Sequence, residues 1–172
     1  MTRSPPLAHA LAAVLCLAAS TAQAVTCQNG IPASNPDNIY TVHGNGTVTD
    51  TRTGLMWKQC LEGYGADNCT ADGGTSSFTW NAALTLAESH EFAGHSDWRL
   101  PNLKELRSLV EECRNTPAIN NDVFPNTSSS VVWSGSPLAG NPNNAWNVNF
   151  NNGNANNNRN NGFSVRLVRG GQ

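Results

Sequence analysis

Two histidines have the spacing that most resembles a catalytic motif. His90 and His95 flank Glu91, and a His-Glu pair with a second histidine downstream is typical of the helix that binds zinc in metalloproteases. Here the histidines are five residues apart rather than four, so they would not share one face of a helix. Gly94 also interrupts a helix at this point. We therefore expect a surface histidine pair and no metal site.

Two further segments contain residues that act in catalysis elsewhere. The hydroxyl side chains from Thr127 to Ser130 have no histidine and acid at a spacing typical of a nucleophilic triad. The triplet Asp97-Trp98-Arg99 is more typical of a structural corner. There the Asp accepts hydrogen bonds from a turn, the indole is buried, and the Arg reaches a carboxylate or a carbonyl. We expect neither enzymatic activity nor a cofactor.

The cysteines indicate structural chemistry. Beyond the N-terminal segment the chain has four, at Cys27, Cys60, Cys69 and Cys113, and an even number in an exported protein favours two disulfides. Cys60 and Cys69 bracket a short Gly-containing loop, so we pair them. Cys27 then pairs with Cys113 and ties the N-terminal arm to a helix. The alternative, a four-thiolate zinc site, lacks any CxxC spacing.

The N-terminus predicts export. Arg3 precedes an apolar run from Leu7 to Ala19, and Ala22-Gln23-Ala24 is a small-x-small cleavage site, so residues 1–24 read as a signal peptide. The run is too short for a membrane span. A lipid anchor at Cys16 is the alternative, which the bulky Leu15 before it disfavours.

Cleavage after residue 24 leaves one domain, residues 25–172, which is long enough for a hydrophobic core. Removing Arg3 leaves nine basic and twelve acidic residues, a net charge of −3. Nucleic-acid binding depends on clustered basic residues, so we expect no nucleic-acid partner.

Two helices and several short strands must position these groups. Thr79 is expected to cap a helix that runs to about Ser89. Asn102 is expected to cap a second helix, and Glu105 completes a capping box. The predicted buried stripe of this second helix consists of Leu103, Leu106, Leu109, Val110 and Cys113. Turn residues and β-prone runs predict strands near 40–42, 47–50, 55–58, 130–134 and 165–169.

Asparagine is concentrated between residues 141 and 161, and apolar residues are spaced regularly among the asparagines. Trp146, Val148 and Phe150 alternate with Asn147, Asn149 and Asn151, a period of two that is typical of a strand with one buried and one exposed face. The following Asn-Gly pair at 152–153 predicts a hairpin turn. Two alternatives are a low-complexity polar segment and a plain Asn-rich loop.

Several stretches resemble a family of exported bacterial domains. Residues 48–57, VTDTRTGLMW, resemble the family's TDxxTGLMW opening, and residues 97–106, DWRLPNLKEL, resemble its DWRLPTxxEL centre. Asn102 replaces the Thr of that centre, and both residues can cap a helix. Three shorter matches follow in order, at 117–125, 132–134 and 165–169. Over nearly all of residues 25–172 the sequence is similar to the C-terminal domain of a bacterial collagen-like adhesin.

This resemblance implies an α+β structure with a C-type lectin-like fold of the formylglycine-generating-enzyme type. That fold would contain two helices, a small antiparallel sheet and long loops. Catalysis in the enzyme of this type needs a cysteine pair near the C-terminus, and no cysteine follows Cys113. The resemblance therefore does not imply enzymatic activity.

The segment 141–164 also resembles the variable region of a protein diversified by a retroelement. In such systems errors at template adenines convert AAC codons for Asn into codons for other residues, whereas codons for Trp, Val, Phe and Gly stay largely fixed. The resemblance implies a fixed scaffold at Trp146, Val148, Phe150 and Gly153. It implies diversifiable, ligand-binding positions at Asn141, Asn143, Asn144, Asn147, Asn149, Asn151, Asn152, Asn154, Asn156, Asn157, Asn158, Asn160 and Asn161, and positions already changed at Ser134, Ser136, Leu138, Phe163 and Ser164.

The function hypothesis is an exported, non-enzymatic binding protein, periplasmic, secreted or at the cell surface. Its Asn-rich face would be a diversifiable surface for an unknown protein or glycan ligand on another cell or surface. The alternative is a fixed glycan- or matrix-binding adhesin domain, for which Asn amides are suited because they both donate and accept hydrogen bonds. A net charge of −3 argues against a sulfated polysaccharide as its ligand.

Overall fold

The computed structural model describes residues 1, 26–66, 68–73, 76–127, 130–158 and 161–170. The predicted signal peptide with Cys16 lies outside the described residues, as does Asn160. The side chains of Pro142 and Asn143 are also not described.

The chain has an α+β fold, with two helices and two small antiparallel sheets where the sequence predicted one. The first sheet has the order β1-β2-β3-β7, with strands at Tyr40–Val42, Thr47–Asp50, Met56–Lys58 and Val168–Arg169. The second has the order β4-β5-β6, with strands at Val131–Leu138, Asn141–Asn149 and Asn154–Asn158. Helix α1 spans Trp80–Glu88, helix α2 spans Leu103–Arg107, and a 3-10 turn spans Asp37–Ile39.

Both helices begin at the caps that the sequence predicted. The Thr79 side chain accepts a hydrogen bond from the backbone of Ala82. Asn102 and Glu105 form the full capping box, with Oδ1 of Asn102 2.9 Å from the Glu105 nitrogen and Oε2 of Glu105 2.8 Å from the Asn102 nitrogen. Arg99 adds a bidentate contact to the same carboxylate, at 2.7 and 2.8 Å, which fixes the corner before the helix.

Helix α2 is shorter than the predicted stripe. Leu109, Val110 and Cys113 are buried as expected, but they lie beyond the last helical residue, Arg107. The backbone there pairs with another segment instead of continuing the helix, because Val110 bridges to Ile119. The prediction of one long buried helix face was therefore wrong, although its residues do enter the core.

Apolar cores cover both faces of the second sheet. Val132 and Val148 are opposite each other in the register, and they belong to a cluster that also includes Phe150 and Leu106. Neighbouring strand residues point to opposite faces, so Trp133 lies on the other side, in a cluster built against α1 and the segment before β7. The sequence predicted only the first of these two layers.

Both predicted disulfides, Cys27–Cys113 and Cys60–Cys69, are present, so their four sulfurs are not available as zinc ligands. Cys113 lies in a turn after α2 rather than in a helix. Two disulfides fit an exported protein. Within the described part of the chain, no helix is long and apolar enough to cross a membrane.

A buried arginine fixes the segment that follows the Asn-rich sheet. Arg166 is fully buried and donates to the Lys58 carbonyl at 2.8 Å, to the Gln59 carbonyl and to the Thr127 hydroxyl. Burial lowers the pKa of Arg166 to about 9, which still leaves it charged at neutral pH. The sequence pattern predicted a strand over residues 165–169 and gave no sign of this role, and Arg166 in fact lies just before β7.

Candidate functional site

Half of the exposed asparagines described in the Asn-rich segment lie on β6, the edge strand of the second sheet. Among the described strands β6 pairs only with β5, in a regular register that places Asn156 opposite Asn147 and Asn157 opposite Trp146. Asn154, Asn156 and Asn157 are exposed, and side chains alternate along a strand, so they project from both faces of this edge. Amide side chains at such positions can donate hydrogen bonds to a ligand and accept them from it without breaking any hydrogen bond of the core.

Asn147 was predicted to be exposed, and the structure contradicts this. Its side chain is only 2% exposed, because it lies between Trp133 of β4 and Asn156 of β6 on the face that the second apolar cluster covers. Among the described residues its amide nitrogen has no hydrogen-bond partner. The alternation in the sequence predicted that one face of β5 is buried. It gave no sign that the opposite face is also covered by the second apolar cluster where β5 pairs with β4.

Trp146 was predicted to lie inside with Val148 and Phe150, but only the latter two are fully buried. Trp146 is half-buried and belongs to neither apolar cluster. It lines a cleft of about 350 Å³ at the start of α2, together with Asn102, Leu103, Lys104, Ser136 and Pro137. A tryptophan within a polar run is the sequence signal that points to this cleft.

The asparagines around the β5–β6 turn have local structural roles. Oδ1 of Asn149 accepts from the backbone nitrogen of Asn151 at 2.9 Å, and Oδ1 of Asn152 accepts from that of Asn154 at 3.1 Å. Gly153 has a φ of +76°, and a Cβ there would lie 2.7 Å from a methyl group of Val110. The predicted hairpin turn is therefore present, and the core beneath it fixes its glycine.

The predicted positions on β4 are also divided between core and surface. Ser134 is fully buried, and its hydroxyl donates to the Trp146 carbonyl at 2.8 Å, so it does not belong to an exposed surface. Ser136 is half-buried and accepts from the Leu103 nitrogen at 3.0 Å, while Leu138 is half-buried near the strand end.

The remaining predicted positions lie in β5, in β6 and in the segment between β6 and β7. In that segment the Phe163 ring packs at a tilt against Trp133, with ring centroids 4.6 Å apart, and Ser164 forms a single bridge to Val132 of β4. Asn144 donates from Nδ2 to Oδ1 of Asn157 at 2.9 Å. Asn141 and Asn161 are exposed, and Asn158 is half-buried.

The surface formed by the second sheet is uncharged. No Asp, Glu, Lys, Arg or His occurs between Asp122 and Arg159 in the sequence. The nearest charge on the Trp146 cleft is that of Lys104. An uncharged surface rich in amides is suited to hydrogen bonding with neutral polar ligands rather than to binding ions.

The two histidines are not a simple surface pair. A tight turn lies between them in the chain, in which the backbones of Phe92 and His95 exchange two hydrogen bonds of 3.0 Å. Nε2 of His90 lies 3.7 Å from Oε1 of Glu62, which forms a buried ion pair with Lys58 at 2.7 Å. Burial lowers the pKa of His90, and the attraction of Glu62 does not fully offset that effect.

The predicted corner at residues 97–99 is present, with one change of partner. The Trp98 indole is buried and donates to the Phe92 carbonyl at 3.0 Å. Asp97 contacts Nε of Arg169 at 2.7 Å, whereas the sequence predicted that it would accept from turn nitrogens. This contact fastens β7 to the corner that precedes α2.

The family model described as Lcl C-terminal domain matches residues 46–169, which include both helices, both sheets except β1, and the Trp146 cleft. No curated protein matches the chain.

Proposed function

The chain belongs to the Lcl C-terminal domain family, and on that premise we propose that it is an exported, non-enzymatic ligand-binding domain. The match agrees with the adhesin resemblance of the sequence motifs. The ligand-binding surface in this proposal is the outer part of the Asn-rich sheet. The matched residues cover most of the chain, so the proposal concerns the whole folded unit and not an appended segment.

The observation that carries the proposal is the separation of scaffold from surface within one sheet. Val132, Val148 and Phe150 are fully buried, whereas Asn154, Asn156 and Asn157 are exposed on the neighbouring strand. Substitutions at exposed positions usually change stability by no more than about 0.5 kcal/mol. Such positions can vary in sequence, and hence in ligand, while the fold is retained.

The proposed surface is smaller than the one that the sequence predicted. It includes the exposed and half-buried asparagines of β6, the β5–β6 turn and the strand ends, namely Asn141, Asn144, Asn149, Asn151, Asn152, Asn154, Asn156, Asn157, Asn158 and Asn161. It excludes the buried Asn147 and Ser134.

A folding library tests this separation. Randomising Asn154, Asn156 and Asn157 should give clones that mostly resist protease, and selection should yield binders for immobilised glycans or proteins. A control library at the buried Val48, Trp57 and Val132 should contain few resistant clones, because each change disturbs a packed core. Equal loss of protease resistance in both libraries would contradict the proposal.

We further propose that the surface is diversified by a retroelement, as the resemblance of residues 141–164 to a variable region implies. The neighbouring DNA provides the test. A near-copy of the segment encoding this tail, next to a reverse-transcriptase gene and differing only where the template has adenine, is the expected result. If the differences fell equally on template positions without adenine, adenine-directed diversification would be excluded.

The finer fold assignment is part of the same proposal. Two helices, two small antiparallel sheets and extensive loops are compatible with a C-type lectin-like fold of the formylglycine-generating-enzyme type. An experimental structure superposed on a member of that fold would test it.

Sequencing of the secreted protein should find residue 25 at the N-terminus, which tests the proposed signal peptide.

The alternative function is a fixed glycan- or matrix-binding adhesin domain. The half-buried Trp146 favours it, because an aromatic ring in a mostly apolar cleft with a few polar side chains is a feature of ligand sites whether or not the neighbouring strand varies. The DNA comparison separates the two accounts, since only diversification requires a template copy.

A further inference from the structure

Trp146 is a large aromatic side chain that lies outside both apolar cores. It is half-buried, yet it packs with neither apolar cluster. Three other tryptophans, Trp80, Trp98 and Trp133, each donate from the indole nitrogen to a backbone carbonyl. Within the described residues no hydrogen bond engages the indole of Trp146. Its nitrogen is therefore available to a ligand.

The cleft beside Trp146 contains polar groups with unused hydrogen-bonding capacity. The Ser136 hydroxyl accepts from the Leu103 nitrogen at 3.0 Å, which leaves its own proton free to donate. Lys104 forms no ion pair among the described residues, so its ammonium is also available. Donors therefore line the side of the cleft formed by α2 and β4.

Two amides lie near Trp146 on the sheet, next to the residues that line the cleft. Asn157 is the cross-strand neighbour of Trp146, and its Oδ1 accepts from Nδ2 of Asn144 at 2.9 Å. This contact leaves Oδ1 of Asn144 and Nδ2 of Asn157 without partners among the described residues. One acceptor and one donor are therefore available on neighbours of Trp146 in the sheet.

From this arrangement we propose that the cleft is a subsite for one pyranose ring of a saccharide, stacked on the indole of Trp146. A pyranose has an apolar face of C–H groups, which fits an aromatic face, and a rim of hydroxyls that both donate and accept. The cleft volume of about 350 Å³ falls within the range of small-ligand sites. Apart from Lys104 the lining of the cleft is uncharged, so it offers hydrogen bonds for hydroxyls rather than the several cationic groups that a sulfated sugar would need. The inference rests on the proposed ligand-binding function but does not depend on diversification of β6.

The experiment titrates the isotopically labelled domain, residues 25–172 with both disulfides, with three probes. These are methyl α-mannopyranoside, methyl β-glucopyranoside and methyl β-galactopyranoside, each at millimolar concentration. The indole N–H resonance of Trp146, assigned by its loss in Trp146→Phe, should shift with at least one probe. The resonances of Trp57 and Trp98, which are buried, should stay in place.

Variants then test the roles of individual residues. Trp146→Ala should weaken binding of the responding sugar by about tenfold or more, and Ser136→Ala by less, because stacking area is lost in the first and one hydrogen bond in the second. Trp80→Phe is the matched control, since Trp80 is also half-buried but packs against the second cluster, and it should bind normally. If Trp146→Ala does not fold, the wild-type resonance shift and Ser136→Ala still decide the question.

Two results would overturn the inference. One is that none of the three sugars shifts the Trp146 resonance. The other is that a sugar binds with equal affinity to wild type and folded Trp146→Ala. Failure of the proposed function is a separate outcome, because it would appear as unfolding of the Asn154, Asn156 and Asn157 library while sugar binding at Trp146 persisted.

Discussion

Replacing the buried Asn147 with leucine should not destabilise the protein and is expected to stabilise it. The Asn147 side chain is 2% exposed, and its amide nitrogen is buried with no hydrogen-bond partner among the residues that the structure describes. An unsatisfied buried polar group costs about 1–3 kcal/mol. Leucine has a similar size and no polar atoms, so Asn147→Leu removes that cost. Imperfect packing of the branched side chain would offset about 1 kcal/mol.

The expected net change is a gain of about 1 kcal/mol, which corresponds to a rise in Tm of about 2–4 °C for a domain of this size. The cross-strand neighbour provides a matched control. Asn156 lies opposite Asn147 on the same face but is exposed. Asn156→Leu should therefore change the free energy of unfolding by no more than about 0.5 kcal/mol.

Tyrosine at the same two positions should give the opposite ranking. Asn147→Tyr forces a larger side chain against Trp133 and should cost about 1–3 kcal/mol, whereas Asn156→Tyr projects into solvent and should be neutral. Urea unfolding with disulfides intact, followed by tryptophan fluorescence, measures all four variants. The m-value should be unchanged if only stability differs. A loss of more than about 1 kcal/mol in Asn147→Leu would refute the reasoning, because it would mean that the amide has a partner.

Three further predictions concern the scaffold. Phe150→Ala should cost about 3–5 kcal/mol in urea unfolding, because a fully buried ring is lost, and an unchanged midpoint would mean that β5 does not pack as described. Replacing Cys27 and Cys113 together by alanine should cost about 2–5 kcal/mol, and non-reducing peptide mapping of the wild type should recover the linked pair rather than free thiols. Burial raises the pKa of Glu111, but hydrogen bonds from Ser34, Asn35 and Cys113 outweigh it and hold that pKa below its usual value. Its stabilisation is therefore complete above the unfolded-state pKa and is lost as pH falls through the folded-state pKa, so the stability difference between wild type and Glu111→Gln should shrink in acid.

Local signals predicted most of what depends on a few neighbouring residues. The caps at Thr79 and Asn102 form as expected, because a cap needs only a side-chain oxygen and the backbone nitrogens two or three residues ahead. The hairpin at Gly153 follows from the same kind of local chemistry. The disulfide pairing was also predictable, since one short loop left a single partner for Cys27.

The errors occur where a distant segment decides the outcome. The end of α2 depends on the pairing of Val110 with Ile119, which no helical periodicity can indicate. The burial of Asn147 depends on Trp133 and the layer over it, far away in the sequence from the alternating run. Alternation reports which residues share a face, but not whether something covers the other face.

If the tail is diversified through adenines, the burial of Asn147 restricts which variants are useful. Mutagenesis at codons cannot distinguish Asn147 from the exposed Asn156, so changes to large side chains at Asn147 would be removed by misfolding rather than by failure to bind. Trp146 precedes the buried Asn147 in β5 and lies opposite the exposed Asn157 of β6. Its codon would stay fixed. A constant aromatic anchor beside variable amides would let affinity come from the stacked ring and specificity from its surroundings, since binding energy concentrates in a few aromatic contacts. The prediction for Asn147→Leu and the sugar titration at Trp146 thus test two parts of one arrangement, a strand in which buried and exposed asparagines have different consequences for fold and for ligand.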